Sequence, residues 1–286
     1  MPHTLHLENL VAPDSPAISI ISAYHTNNSS HSHDFYELVY VTEGYCLHNV
    51  DGLSTLLMEG DIFIMRPGIT HRYAGNRVTR IYNCVFGEAA LTPYLDELRS
   101  LPGLDVLFDA APSSGISRMH LSLNERKGFL KLITSMGEEC KDHPLGWKLR
   151  LPSHLIQLLV EYARAFQLRE DSGHTDNVYP EYVHQALSVI DANYGDCNLS
   201  VHRIASQVGV SDDYLTRQFR RVTGISTQEY LRRYRFARAM DLLQTDCSIG
   251  DVAKQAGFRT LSYFSREFTR ELGVTPSKYR NQTNNQ

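Results

Sequence analysis

No two of the five cysteines in this 286-residue chain form a CxxC pair; Cys46, Cys84, Cys140, Cys197 and Cys247 are scattered and odd in number. That excludes a cysteine zinc clip and a disulfide framework, and leaves small buried thiols in a reducing compartment. No apolar run approaches the ~20 residues of a membrane span. The first ten residues, MPHTLHLENL, lack the basic and apolar regions of a signal peptide. A cytosolic protein without a membrane partner is expected. Positive charge is also scarce: the net charge is −4, which argues against indiscriminate nucleic-acid binding. The halves differ, however. Residues 1–177 hold 14 Lys+Arg against 21 Asp+Glu, and residues 178–286 hold 14 against 11. Twelve of those last 14 cations are arginine, clustered at 217–238 and 259–280. Arginine suits phosphate and guanine geometry better than lysine.

A doubled segment dominates the C-terminal part. Ser248–Asn281 has a weaker copy at Ser200–Leu231, offset by 48 residues through the glycine and 49 beyond it, so the second turn is one residue longer. In the second copy Ser248 sits at an N-cap with Asp251 three residues on. Ile249, Val252, Ala253 and Ala256 form an apolar helical stripe. Gly257 permits a left-handed turn, and Thr260 caps a second helix that buries Phe264 and Phe268. In the first copy Ser200 caps, Val201, Ile204, Ala205 and Val208 form the stripe, Gly209 turns, and Leu215, Phe219 and Val222 anchor.

Helix, glycine turn, helix is the pattern of a helix-turn-helix, whose second helix enters the major groove. The outward positions are Asp213, Tyr214, Thr216, Arg217, Arg220 and Arg221 in the first copy. In the second they are Thr260, Ser262, Tyr263, Arg266 and Arg270. Arginine can bond guanine O6 and N7 together, while hydroxyls serve phosphates or base edges. The competing reading, a merely solvated helix face, has to account for the same pattern occurring twice in register. Between the copies, Ser226 and Glu229 open a connector helix expected over Thr227–Gln244, a strut of roughly 27 Å. Successive major-groove faces lie ~34 Å apart.

On these residues the region 180–281 resembles the DNA-binding domain of the AraC/XylS family of bacterial transcription regulators. The resemblance implies base reading by Asp213 and Arg217 in the first unit and by Thr260, Ser262 and Arg266 in the second. It also implies a contact of Asp251 with the polymerase sigma subunit, in competition with the capping role of that residue.

Residues 17–90 alternate at period two between turns such as Asp51-Gly52, which implies six or more short strands in a small barrel or sandwich. His31-Ser-His33-Asp-Phe-Tyr-Glu37 followed by Gly44, and Gly60 to Pro67-Gly68-Ile-Thr-His71, resemble the two cupin motifs. The stretch HDFYELV at 33–39 looks most like rhamnose-responsive members of the AraC family. By resemblance to metal-binding cupins, His31, His33, Glu37 and His71 would hold a divalent metal, and three imidazoles with a carboxylate suit Fe, Mn, Ni or Zn. The alternative is a metal-free polar pocket lined by some of Tyr24, His31, His33, Glu37, His71 and Tyr82, bonding a hydroxyl-rich effector, by resemblance a sugar or sugar acid.

From Leu121 to Arg169 the period turns helical. Phe129, Leu132, Ile133 and Met136 mark one helix, Leu151, Leu155, Leu158, Leu159 and Tyr162 another, and His143–Gly146 breaks them apart, with Trp147 packing at the junction. These helices either cap the barrel or form a dimer seam. The expected organisation is α+β and multidomain. A cupin-like barrel with a helical dimerisation segment (1–169), which binds the effector, precedes a linker (170–179) and an all-α double helix-turn-helix domain (180–286). Residues 1–16 are open to a role as an arm that reports pocket occupancy. The expected function is regulation, by family habit activation, of a catabolic operon through promoter DNA, as a homodimer with no catalytic residues. Two rivals remain: a metal-dependent cupin enzyme fused to a DNA-binding tail, and a C-terminal protein-interaction module.

Overall fold

The computed structural model describes residues 3–24, 29–75, 79–108, 116–171 and 181–284. Ten strands come first: β1 (His3–Leu5), β2 (Ile18–Tyr24), β3 (His31–His33), β4 (Tyr36–Glu43), β5 (Tyr45–Val50), β6 (Leu53–Met58), β7 (Asp61–Met65), β8 (His71–Gly75), β9 (Arg80–Phe86) and, after the short helix α1 (Leu95–Arg99), β10 (Ile116–His120). They form two five-stranded sheets, ordered β1-β3-β8-β5-β6 and β10-β7-β4-β9-β2. The β5–β6 hairpin closes through Asp51 at φ 49° and Gly52 at φ 87°, the left-handed pair that a two-residue hairpin turn requires.

The sheets face each other across Val39, Val41, Cys46, Leu57, Phe63, Met65, Tyr73 and Ile81. Alternation then sends Leu38, Tyr40, Ile62 and Ile64 outward from the second sheet. Two helices cover that outer face, α2 (Leu123–Asp142) and α3 (Trp147–Asp171). A full capping box of Ser122 and Glu125 starts α2, and His143 at φ 47° ends it. Trp147 stacks on His143 with ring centroids 4.1 Å apart. The helices therefore do cap the barrel. The linker expected at 170–179 lies outside the described residues except for Glu170 and Asp171, which α3 still contains.

The C-terminal part is helical throughout: α4 (Glu181–Asn193), α5 (Val201–Gln207), α6 (Asp212–Thr223), α7 (Thr227–Leu242), α8 (Ile249–Gln255), α9 (Leu261–Leu272) and α10 (Pro276–Asn284). The connector α7 ends at Leu242, two residues earlier than expected, because the amides of Gln244 and Thr245 tighten onto the carbonyls three residues back, Asp241 and Leu242. Its 16 residues give a strut of roughly 24 Å. In α6 the expected anchor Val222 is only half-buried, and Thr223 fills the core instead, its hydroxyl bonded to Phe219 O at 2.7 Å. Gly257 is at φ 81°, and a Cβ there would collide with the carbonyl of Tyr194, so this turn needs glycine on both counts. No helix among the described residues is long and apolar enough to cross a membrane.

Candidate DNA-reading face and effector site

Each helix-turn-helix is set by local chemistry. Ser200, Ser211, Ser248 and Thr260 each accept an amide hydrogen bond from the residue three positions on, at 3.1–3.3 Å. The α5–α6 turn runs from Gln207 to the Ser211 cap, and the α8–α9 turn from Gln255 to the Thr260 cap. The extra residue thus lies in the second turn. Helix α6 buries Leu215, Phe219 and Thr223, and α9 buries Phe264, Glu267 and Phe268.

Asp213, Arg217, Arg220 and Arg221 remain exposed on α6, and Thr260, Ser262, Tyr263 and Arg266 at the start of and along α9. Among the described residues no carboxylate or carbonyl engages the guanidinium of Arg217, Arg220 or Arg221. Arg266, 71% exposed, lies over the Tyr263 ring at 5.4 Å with its Nε 3.6 Å from the buried Glu267. Two residues of the expected face are less free. Tyr214 is half-buried, its hydroxyl 3.3 Å from that of Tyr182 on α4, and Thr216 is half-buried too. The hydroxyl of Thr260 is occupied by its own cap.

The arginine cluster at 217–238 divides in a way the sequence does not show. Arg232 and Arg233 pair with Glu229, and Arg232 also with Glu271. Arg235 donates to the carbonyls of Tyr194 and Asp196, and Arg238 to Asp191 and Ser54. Arg270 is bound to Glu267, and Arg280 to carbonyls of Leu243 and Cys247. These arginines build the domain.

In the barrel, β3 brings His31 opposite His71 of β8, and β4 carries Glu37 inward in phase with Val39 and Val41. His33, Glu37 and His71 are all buried, and one ligand atom from each lies within 4.8 Å of the others. His33 donates from Nδ1 to Phe35 O at 2.6 Å, which turns its Nε2 lone pair toward Glu37 Oε2 at 3.8 Å, too far to bond. His48 Nε2 meets His71 Nδ1 at 3.1 Å and so fixes the His71 ring. His31 stands beside this group, its ring 4.3 Å from that of His71, but its Nδ1 faces Ser29 O. Three of the four expected metal residues therefore converge, with His31 alongside.

Tyr24 and Tyr82 do not join them. Tyr82 pairs across the sheet with Tyr40 and Ser22, on the outer face, and Tyr24 is 55% exposed beside Arg80. The inner face presents His48, Tyr73 and Asn83 instead, with His48 stacked on Tyr73 at 4.7 Å. The position two residues after His71 was the available signal for Tyr73. Of the segment 1–16, read as a potential arm, the described residues from 3 onward lie on the barrel: β1 pairs in parallel with β3, and Asp34 accepts from His6 Nδ1 and the Leu7 amide at 2.7 and 2.9 Å.

Burial keeps both members of the pair uncharged at neutral pH. It lowers His33 to about 4 against the acceptor pull of Phe35 O, and raises Glu37 to about 8. Linkage fixes the consequence. From pH 6.5 to 8 Glu37 keeps its proton in the folded chain and has lost it in the unfolded one, while His33, neutral when folded, goes from half-charged to neutral in the unfolded chain, a smaller effect of opposite sign. Stability from this group is full below pH 4.5 and is lost as pH rises through 8. Urea unfolding of wild type should show about 1 kcal/mol less stability at pH 8 than at 6.5. Glu37→Gln should lack that slope; an equal slope in both would assign it elsewhere.

Comparison with known proteins agrees with this two-part geometry. Residues 15–138 match the AraC-like ligand binding domain, and residues 204–282 match a helix-turn-helix domain. The chain is 26% identical over 287 residues to the HTH-type transcriptional activator RhaR of Shigella dysenteriae serotype 1 (strain Sd197), covering 98% of each protein. It is 27% identical over 278 residues to RhaR of Klebsiella pneumoniae subsp. pneumoniae, covering 96% of each. To RhaR of Enterobacter sp. (strain 638) it is 28% identical over 291 residues, 99% of this chain and 98% of that one. With an AraC-like ligand-binding domain, a helix-turn-helix domain and transcriptional activators matched from end to end, the chain has the two-part build of an AraC-type DNA-binding transcription regulator.

Proposed function

We propose that the protein activates a catabolic operon as a homodimer bound to promoter DNA, when a hydroxyl-rich small molecule, a sugar or sugar derivative, occupies the barrel. The observation that carries the effector reading is the buried polar group inside an apolar barrel. Among the described residues His33 Nε2, Glu37 Oε2 and Asn83 Oδ1 have no hydrogen-bond partner, and buried polar atoms of that kind call for a ligand. The names of the full-length relatives support activation.

A divalent metal fits the same residues. His33 and His71 would supply imidazole nitrogens and Glu37 a carboxylate oxygen, with His48 orienting His71 from behind. When bound, the ion would supply a positive charge on which sugar hydroxyls can be held. The group is read as a binding site and not a catalytic one, because the relatives are named as regulators. Dimerisation is supported by Leu123, Leu130, Leu149 and Leu168, large apolar side chains that α2 and α3 leave exposed. Asp251 is exposed, and its Oδ2 accepts from Ser248 Oγ at 2.6 Å; its contact with the polymerase sigma subunit rests on family likeness.

A promoter-binding titration against a panel of sugars, with added divalent metal and with chelator, tests this reading. One sugar should shift DNA affinity by about tenfold or more, and His33→Ala should lose that response while retaining sugar-free DNA binding. Absence of any response in wild type, or an unaltered response in His33→Ala, contradicts it.

A further inference from the structure

The barrel and the reader meet on the outer face of the first sheet. Tyr45, Leu47, Leu56, Met58 and Ala74 join Tyr230, Tyr234 and Ala237 of α7, with Val183 and Leu187 of α4, in one continuous core. Strand β6 is the free edge of that sheet. An open edge presents every second amide to solvent or to another strand. Here the alternate amides are all taken by side chains: Ser54 N by Asp191 Oδ2 at 3.2 Å, Leu56 N by Tyr230 Oη at 2.7 Å, and Met58 N by Asp61 Oδ2 at 2.7 Å. Two of those three acceptors belong to the DNA-binding part, more than 130 residues away in sequence. Arg238 closes the group, donating to Ser54 Oγ at 2.9 Å and to Asp191 Oδ1 at 2.7 Å, and Tyr234 donates to the same carboxylate.

A second contact reaches the reading helix itself. Gly224, the left-handed cap of α6, packs so tightly on the His120 ring of β10 that a Cβ there would collide with it. His120 is in turn held by Asp61 Oδ1 at 3.0 Å and by Arg126 at 2.9 Å. Neither contact covers Arg217 or Arg266, which stay exposed. The seam therefore sets the orientation of the reader and leaves its DNA face open.

We propose that the side chains of Asp191 and Tyr230, by closing the β6 edge, lock barrel and double helix-turn-helix into one body, and that this seam carries the state of the barrel site to the reader. The strands involved have two working faces. On β5, His48 points into the barrel and its neighbour Leu47 into the seam; on β8, Tyr73 points inward and Ala74 outward. A ligand that displaces His48 or His71 must shift the same strands on which α7 rests, one backbone thickness away. The lock itself follows from the two-domain geometry; its signalling role rests on the regulator reading.

Amide hydrogen exchange and calorimetry on the full-length chain test the lock, with wild type, Tyr230→Phe and Asp191→Asn. Wild type should protect the Ser54 and Leu56 amides and unfold in one transition. Tyr230→Phe should speed exchange at Leu56, and Asp191→Asn at Ser54, each by about tenfold or more, with barrel and reader separating into two transitions. The two variants remove different acceptors, so a folding failure of one leaves the other to decide. Exchange at both amides as fast in wild type as in an unstructured peptide overturns the proposal, as does unchanged exchange in the variants. Affinity for a duplex selected by wild type from a random pool, measured in parallel, should stay within about threefold in both variants. Failure of wild type itself to select a duplex would count against the regulator reading and leave the exchange result standing.

Discussion

Replacing both Arg217 and Arg266 with alanine is expected to weaken specific DNA binding by about 2–6 kcal/mol, since each arginine contributes about 1–3 kcal/mol and the two sit on separate helices. The loss should be sequence-dependent. Arg217→Ala should relax base preference in one part of the operator and Arg266→Ala in another, with non-specific binding largely retained. Thermal stability should hardly move, because both side chains lie on the exposed face and Arg217 has no protein partner among the described residues. Competition binding against operators with single-base changes measures this. Uniform weakening on all sequences would make these residues phosphate contacts, and unchanged binding would remove them from the reading face. Arg235→Ala offers a contrast: its guanidinium holds the carbonyls of Tyr194 and Asp196, so it should lower stability before it touches base preference.

Asp61→Ala should destabilise the barrel by about 3–5 kcal/mol, the usual cost of breaking a buried ion pair from one side. Asp61 is 1% and Arg118 5% exposed at the side chain. Arg118 Nη2 donates to both Asp61 Oδ2 and Leu56 O at 2.5 Å. Removing the carboxylate leaves a buried guanidinium facing only neutral acceptors such as Leu56 O and Thr55 Oγ1, and takes from the Met58 amide and His120 Nδ1 the acceptor they share. Burial alone would raise the pKa of Asp61, but Arg118, His120 and the Met58 amide hold it below 3.8. Its contribution is therefore present above that pH and lost on acidification through the lower folded value. Asp61→Ala/Arg118→Met should recover part of the loss, since an apolar pair of similar volume carries no stranded charge. Chemical denaturation of the single and double variants measures it. A cost below about 1 kcal/mol for Asp61→Ala would show that water reaches the pair.

The doubled reader was legible in the sequence because everything that defines it is local. A serine or threonine cap, an apolar stripe and a glycine at fixed spacing each act within a turn or two of helix, and Thr260, Gly209 and Gly257 do in the structure what their positions require. The first half of the cupin-like motif was legible for the same reason, His33 and Glu37 lying four residues apart on successive strands. The pocket beyond them was not. Protein covers both faces of each sheet, so β9 reads Ile81-Tyr82-Asn83-Cys84 without a clear inside, and Tyr82 and Tyr24, expected in the pocket, face outward. His48 and Tyr73 meet through the β5–β8 register, which pairs residues 25 apart and leaves no local trace. Nor could the sequence separate all the arginines that face DNA from those that brace α7: the Glu229 pairs are local to that helix, but Glu271 comes from α9 and Asp191 from α4.

The most direct test of the reading geometry is a hydroxyl-radical and guanine-methylation footprint of the full-length protein on a selected duplex, taken with wild type, Arg217→Ala and Arg266→Ala. Each wild-type chain should protect two patches on one side of the duplex, about ten base pairs apart. Each variant should lose guanine protection in one patch only, and not the same one. A single patch per chain, or loss of both patches together in either variant, would contradict a protein that reads two successive major grooves with α6 and α9.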